Sequence, residues 1–339
     1  MFIVESYGMA VLMCFITMLC WGSWANTQKL ASREWKFQLF YWDYSIGVLI
    51  LTLALAFTLG SMGDQGRSFL ADLKQAQSGN LWSALLGGVI FNFANILLVV
   101  AIDITGMSVA FPVGIGLALV LGVIDNYRKS PGTYQTTLLF AGVGCIALAI
   151  VLNALAYRRL SSDKKTTALG VVISVICGIS MGFFYGRVAG AMVTDFAKPE
   201  AGLLTPYTAL VFFSLGLVLS NFVLNTIAMK WTVSGETVAV RDYFTKGNPR
   251  LHLVGILGGI IWSIGMSFSI IAGGKAGYAI SYGLGQGATL VAALWGVFIW
   301  REFRSAPKGT NPFLAVMFLL YVVGLALIIA GNKQVFSGI

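Results

Sequence analysis

Charge is scarce in this sequence. Only 10% of its 339 residues are charged while 58% are hydrophobic, and the mean hydropathy is +0.84. Soluble domains carry about 25% charged residues, so most of this chain has no water to face. Histidine is down to a single residue, His252, which cannot anchor a metal site alone. The four cysteines, Cys14, Cys20, Cys145 and Cys177, fall inside apolar runs without C-x-x-C spacing. That excludes a zinc or disulfide framework and leaves thiols acting as small hydrophobes. No G-x-x-x-x-G-K-[ST] run occurs, and Gly273-Gly-Lys-Ala-Gly277 is a glycine turn of the wrong spacing, so no nucleotide site is expected. The net charge of +9 does not indicate nucleic acid, because Lys and Arg stand singly or in pairs between apolar runs. Met1 to Tyr7 lacks a basic segment, so no signal peptide is expected.

What the chain does have is apolar runs of bilayer length. They cover 7–27, 38–61, 81–103, 106–126, 136–157, 168–190, 204–229, 251–273, 277–300 and 312–331, and about 20 apolar residues make one crossing. Runs this long predict helices rather than barrel strands. The connections differ in charge. Those after the odd-numbered runs hold fourteen of the 22 Lys and Arg residues, among them Lys29, Arg33, Arg158, Arg159, Lys164, Lys165, Arg241 and Arg304. The positive-inside rule therefore puts these connections in the cytoplasm and both termini on the periplasmic or extracellular side of a cell inner (plasma) membrane.

The sequence also repeats. A shift of 171 lays Leu86-Gly-Gly-Val-Ile90 over Leu257-Gly-Gly-Ile-Ile261, Gly106–Phe111 over Gly277–Tyr282, and Val113–Gly116 over Leu284–Gly287. A shift of 160 lays Trp21-Gly-Ser-Trp24 over Met181-Gly-Phe-Phe184. The expected fold is an all-α integral membrane protein of ten transmembrane helices. Residues 1–160 form one five-helix repeat and 161–339 the other. Five is odd, so the second copy enters the membrane from the opposite side. Inverted repeats suit transporters, because each half can adopt the other's conformation.

Charges inside the runs are few enough to weigh one by one. Asp43, within Tyr41-Trp42-Asp43-Tyr44, is either a proton-coupling carboxylate beside rings that stack on a solute or an interfacial aspartate. Arg187 either pairs with Asp43 or snorkels to the surface. Asp103, Asp125, Arg301 and Glu302 sit at run ends and read as surface groups. The neutral polar residues make a fuller constellation: Asn92, Asn95, Asn221, Asn225, Ser263, Tyr282 and Gln286. Amides both donate and accept, which suits hydroxyls, ureas or imides; the alternative role is to join helices. Trp21, Trp24 and Trp262 are candidate stacking walls. The paired glycines 114/116 and 285/287 allow close packing or bending, and Pro112 a kink.

These residues carry a resemblance. Met1-Phe-Ile-Val-Glu-Ser-Tyr-Gly8, Trp21–Trp24, Tyr41-Trp-Asp-Tyr-Ser-Ile46, Asn92 and Asn95, Gly106-Met-Ser108 and Trp300-Arg-Glu-Phe303 resemble the drug/metabolite transporter superfamily. Within it they are most similar to the ureide permease branch and its bacterial glucose/ribose and rhamnose porter relatives. The chain departs from the plant members in lacking their long central loop with a P-loop-like motif. The resemblance implies a gradient-driven secondary transporter, not an enzyme. Its substrate would be a small, mainly neutral polar solute, a sugar or a nucleobase or ureide. The coupling ion would be a proton or sodium, no other cofactor is expected, and the partners would be lipids and at most a second copy of the chain. An exporter of the same fold stays open. So does a membrane enzyme acting on lipid-linked substrates, which scattered carboxylates and one histidine disfavour.

Overall fold

A computed structural model describes residues 1–31, 34–160, 167–230 and 237–333. Arg33, Lys164, Lys165 and the junction at 161 between the two expected repeats lie outside the described residues. Among the described residues, ten helices are long and apolar enough to cross a bilayer: α1 Tyr7–Ala31, α2 Phe37–Phe57, α3 Ser78–Thr105, α4 Phe111–Lys129, α5 Thr136–Leu160, α6 Ala168–Ala189, α7 Pro206–Lys230, α8 Pro249–Ala276, α9 Tyr278–Ile299 and α10 Thr310–Ala330. Each coincides with one apolar run of the sequence. Short polar side chains start several of them. Ser6 Oγ accepts from Met9 N at 3.2 Å, Thr167 Oγ1 from Gly170 N at 3.1 Å, and Asn248 Oδ1 from Leu251 N at 3.0 Å, each satisfying an orphan N–H of a first turn.

Apart from the chain neighbours α8–α9, the principal helix pairs are α3–α6 and α8–α1, α3–α7 and α8–α2, α4–α6 and α9–α1, together with α2–α7, α5–α10 and α4–α9. Replacing every helix by the one five places along returns the same set. That pattern is compatible with a two-fold relation between the halves. The closest crossings repeat as well. A β-carbon at Gly88 on α3 would stand 2.8 Å from Leu217 N and 2.9 Å from Phe213 C on α7. One at Gly259 on α8 would stand 2.8 Å from Tyr44 C and 2.9 Å from Val48 N on α2. From the other side of each crossing, Gly216 faces Leu85 and Gly47 faces Ile256 in the same manner. Backbones approach this closely only where a side chain is missing.

Two left-handed glycines, Gly106 (φ 75°) and Gly277 (φ 83°), end α3 and α8 and turn the chain at once into the next helix. Those next helices are irregular in matching places. α4 opens as the π-turn Phe111–Ile115 around Pro112, and α9 is interrupted at Gln286–Gly287 between Tyr278–Gly285 and Ala288–Leu294. Irregular backbone at membrane depth is tolerated where it lines a cavity.

Candidate functional site

A cavity of about 190 Å³ lies against both irregular helices. Its walls are rings and aliphatic groups: Trp21 and Trp24 of α1, Phe91 of α3, Phe111 and Ile115 of α4, Met181 and Phe184 of α6, and Trp262 of α8. Trp262 stacks on Trp21 (5.9 Å, 12°) and packs at 4.4 Å against Phe91, which meets Phe184 at 5.1 Å. These rings brace one another, so a flat or ring-shaped guest meets faces already held in place.

Three polar residues join the wall, Asn95, Gln286 and Thr289, and none of the lining residues is charged. Asn95 Nδ2 donates to Tyr41 Oη at 3.1 Å, which leaves its carbonyl oxygen for the cavity. The Gln286 backbone closes the turn in α9, its N–H donating to Tyr282 O and its carbonyl accepting from Thr289 Oγ1 at 2.9 Å. Its side chain borders the cavity, and the residue is 9% exposed. A buried amide bordering a cavity is ready for a ligand or for water.

Five of the expected binding residues thus meet in one place: Trp21, Trp24, Asn95, Trp262 and Gln286. The rest are used otherwise. Asn92 Nδ2 donates to Ser220 Oγ at 2.8 Å, Asn225 Nδ2 to Gln38 O at 2.8 Å and Asn221 Nδ2 to Ser45 Oγ at 3.3 Å, tying α7 to α3 and α2. Ser263 donates to Val48 O at 3.4 Å, and Tyr282 spans to the Ala118 and Met181 carbonyls at 3.2 Å each. Tyr44 lies behind the wall, 4.9 Å from the Trp24 ring. Arg187 ends α6 near Ser83, which donates to its carbonyl, whereas Asp43 begins α2 at the opposite end of the bundle, so the two do not pair.

Asp43 has its own surroundings. Its side chain is 1% exposed and receives three donors: Tyr243 Oη at 2.5 Å, His252 Nδ1 at 2.9 Å on the same oxygen, and Trp35 Nε1 at 3.2 Å on the other. Tyr243 belongs to the short helix Val240–Thr245 in the α7–α8 connection, His252 to the first turn of α8, and Trp35 to the α1–α2 connection. Burial first, then the hydrogen bond to Asp43 and its charge, push the Tyr243 phenol well above its usual range, so it stays a donor. None of Trp35, Tyr243 and His252 is marked by local spacing, since Tyr243 and His252 lie 200 and 209 residues from Asp43.

Phe91 and Phe184 did carry a signal in the sequence. The shift of 171 takes Phe91 to Trp262 and Ile115 to Gln286, and the shift of 160 takes Trp21 to Met181 and Trp24 to Phe184. All eight line the cavity.

The ureide permease profile matches residues 40–168 and 156–331 of this chain. The chain belongs to the ureide permease family. Ureide permease 1 of Arabidopsis thaliana is 23% identical over 98% of this chain and 99% of its own length. A probable glucose uptake protein, GlcU, of Staphylococcus aureus (strain MRSA252) is 24% identical over 74% of this chain and 77% of its own. A solved crystal structure shares the fold, with a TM-score of 0.60, 18% identity, and coverage of 95% of this chain and 96% of the other. The protein is a multi-pass membrane transporter of small solutes.

Proposed function

We propose that the protein takes up a small, mainly neutral polar solute, a sugar or a nucleobase or ureide, by proton-coupled alternating access in a plasma membrane. Its basic face is cytoplasmic and its termini lie outside. The observation that carries this reading is the cavity itself: an aromatic box without charge, bordered by the side chains of Gln286 and Asn95. Ring faces stack on flat or puckered rings, and two amide edges match hydroxyls or a urea in either hydrogen-bonding sense. The names of the relatives, ureide permeases and a glucose uptake protein, point to the same chemistry.

The duplicated wall supports alternating access, because repeat-related residues meet the solute from both halves. Asp43 supplies the coupling. A buried carboxylate inside a span is costly to keep charged and changes its surroundings when it takes a proton.

The test is thermal stabilisation of the purified protein by D-glucose, uracil and allantoin. A ligand at 100 times its Kd stabilises by about 2.7 kcal/mol, and Asn95→Ala or Gln286→Ala should abolish that shift for the ligand that binds. A shift unaltered by both substitutions removes the cavity as the binding site. In proteoliposomes, Asp43→Asn should end gradient-driven accumulation of that ligand while exchange continues.

A further inference from the structure

We propose that His252 is the proton conduit between water at the basic face and Asp43, and that Tyr243 latches the α7–α8 connection to that carboxylate only while it is charged. The inference rests on the reading of Asp43 as the proton carrier.

The geometry begins with a carboxylate that only accepts. His252 Nδ1 lies 2.9 Å from Asp43 Oδ1 and 3.1 Å from Oδ2, so Nδ1 carries the hydrogen. The other ring nitrogen lies beside Gly247 of the α7–α8 connection, and the side chain is 28% exposed. One edge of the imidazole thus meets the buried acid while the ring reaches the surface. Asp43 itself, 1% exposed, has no comparable access to water. A proton from the basic face adds to Nε2 and gives the imidazolium. The Nδ1 proton then passes to Asp43, leaving a neutral carboxylic acid and the Nε2–H tautomer. One proton enters, one N–H bond forms and one breaks, and no other reactant is needed.

The other groups around Asp43 leave this route undisturbed. Trp35 offers only an N–H, Gly255 of α8 faces the Asp43 side chain, and Asn225 of α7 is bound to Gln38. Of the charged groups at this face, Arg250 pairs with Glu34 at 3.7 Å and Lys246 with Asp242 at 3.0 Å, with Lys36 acting on Asp242, and Arg241 is on the Tyr243 helix. The donor set also decides between coupling ions. A sodium ion needs several oxygen ligands, and Asp43 is surrounded by two N–H groups and a phenol that already donates to it. A proton fits this site.

The opposite face shows what a clasp without such a conduit looks like. Asp72, on the short helix Phe69–Gln75 of the α2–α3 connection, is fully buried and accepts from Thr205 N at 2.8 Å and Thr205 Oγ1 at 3.0 Å. Its other oxygen has Gln75 Nε2 at 3.1 Å and Arg67 at 3.4 Å. Arginine stays charged at every physiological pH, so that end is a permanent tie. At the basic face the equivalent connection is held through a phenol donating to a carboxylate that histidine can neutralise. Charge-assisted hydrogen bonds lose about half their strength when the charge goes.

The experiment uses the full chain, without a histidine tag, in lipid nanodiscs. His252 is the only histidine, so nitrogen-labelled histidine reports a single imidazole, its two ring-nitrogen signals expected to show the Nδ1–H tautomer at neutral pH. An infrared band of protonated carboxyl, absent in Asp43→Asn, reports Asp43. After a downward pH jump its rise should be slowed about 100-fold or more in His252→Gln, the range for removal of a positioned proton-transfer group. Exchanging potassium for sodium at fixed pH should leave the band unchanged. An equal rate in His252→Gln, an Nε2–H tautomer at neutral pH, or loss of the band in sodium overturns the proposal. Absence of any Asp43 band in the wild type instead overturns the coupling role of Asp43.

Discussion

The two glycine crossings allow a prediction whose size follows from geometry. A β-carbon added at Gly88 meets two backbone atoms of α7 at 2.8 and 2.9 Å, and one at Gly259 meets two of α2 at the same distances. Each would also run into a carbonyl oxygen, Phe213 O or Tyr44 O. Those neighbours are helical backbone, which cannot rotate aside as a side chain can, so the helices must part. Overpacking of this kind costs about 1–3 kcal/mol. Gly88→Ala and Gly259→Ala should therefore each destabilise by the upper end of that range, and by similar amounts. Gly144→Ala and Gly8→Ala, where nothing lies within 4 Å, should be neutral or slightly favourable. Gly88 and Gly216 share one crossing, so the double substitution should cost less than the sum, since the first has already separated the helices. Gly88 with Gly259 should add. The assay is denaturation of detergent-purified protein, with retained monodispersity on gel filtration as the readout. If Gly88→Ala and Gly259→Ala are indistinguishable from Gly144→Ala, the duplicated close approach is wrong.

Three further substitutions probe other contacts. Thr205→Val keeps volume but removes one of the two Thr205 hydrogen bonds to buried Asp72; it should cost about 1.5–3 kcal/mol, and Thr205→Ser should restore most of it in the same assay. Tyr185→Phe strips the phenol that joins α6 to Ser269, at 3.0 Å from its hydroxyl, and should cost about 1 kcal/mol, read as a lower melting temperature. Trp262→Ala removes the ring that Trp21, Phe91 and Phe213 share and should lose about 3 kcal/mol, the low end for such truncations because one side already faces the cavity, together with ligand-induced stabilisation.

The ten helices were legible because lipid leaves a backbone few options, and run length alone signals a span. The repeated glycines have matching surroundings: Gly88 and Gly259, Gly106 and Gly277 recur where close approach or a left-handed turn demands them, which is compatible with a repeat. The amides were harder. Asn92 and Asn95 lie one turn apart on α3, yet Asn92 reaches Ser220 of α7 while Asn95 borders the cavity. Spacing fixes which residues share a helix face, not which neighbour that face meets. Asp43 could be noticed as a charge inside a span, but its partners could not, because the groups that complete its environment come from three separate places in the chain.

The cavity wall and its polar groups follow different rules, and the difference bears on mechanism. Trp21 and Met181, Trp24 and Phe184, Phe91 and Trp262 are repeat-related and all apolar. The amides break the pattern: Gln286 stands where the repeat places Ile115, and Asn95 where it places Met266. In the proposed alternating-access cycle, a duplicated apolar wall would present similar apolar surfaces whichever side the cavity faces, so packing would hold the solute through the switch without favouring either state. Unduplicated amides give that solute one orientation. Placing a second carboxamide by Ile115→Gln should then weaken discrimination between solutes more than it weakens stacking, since both ends of the site would offer donors and acceptors. The measurement is the ratio of thermal shifts for D-glucose, uracil and allantoin in Ile115→Gln against the wild type. A ratio left unchanged would mean that the asymmetry of the amides has no part in selection.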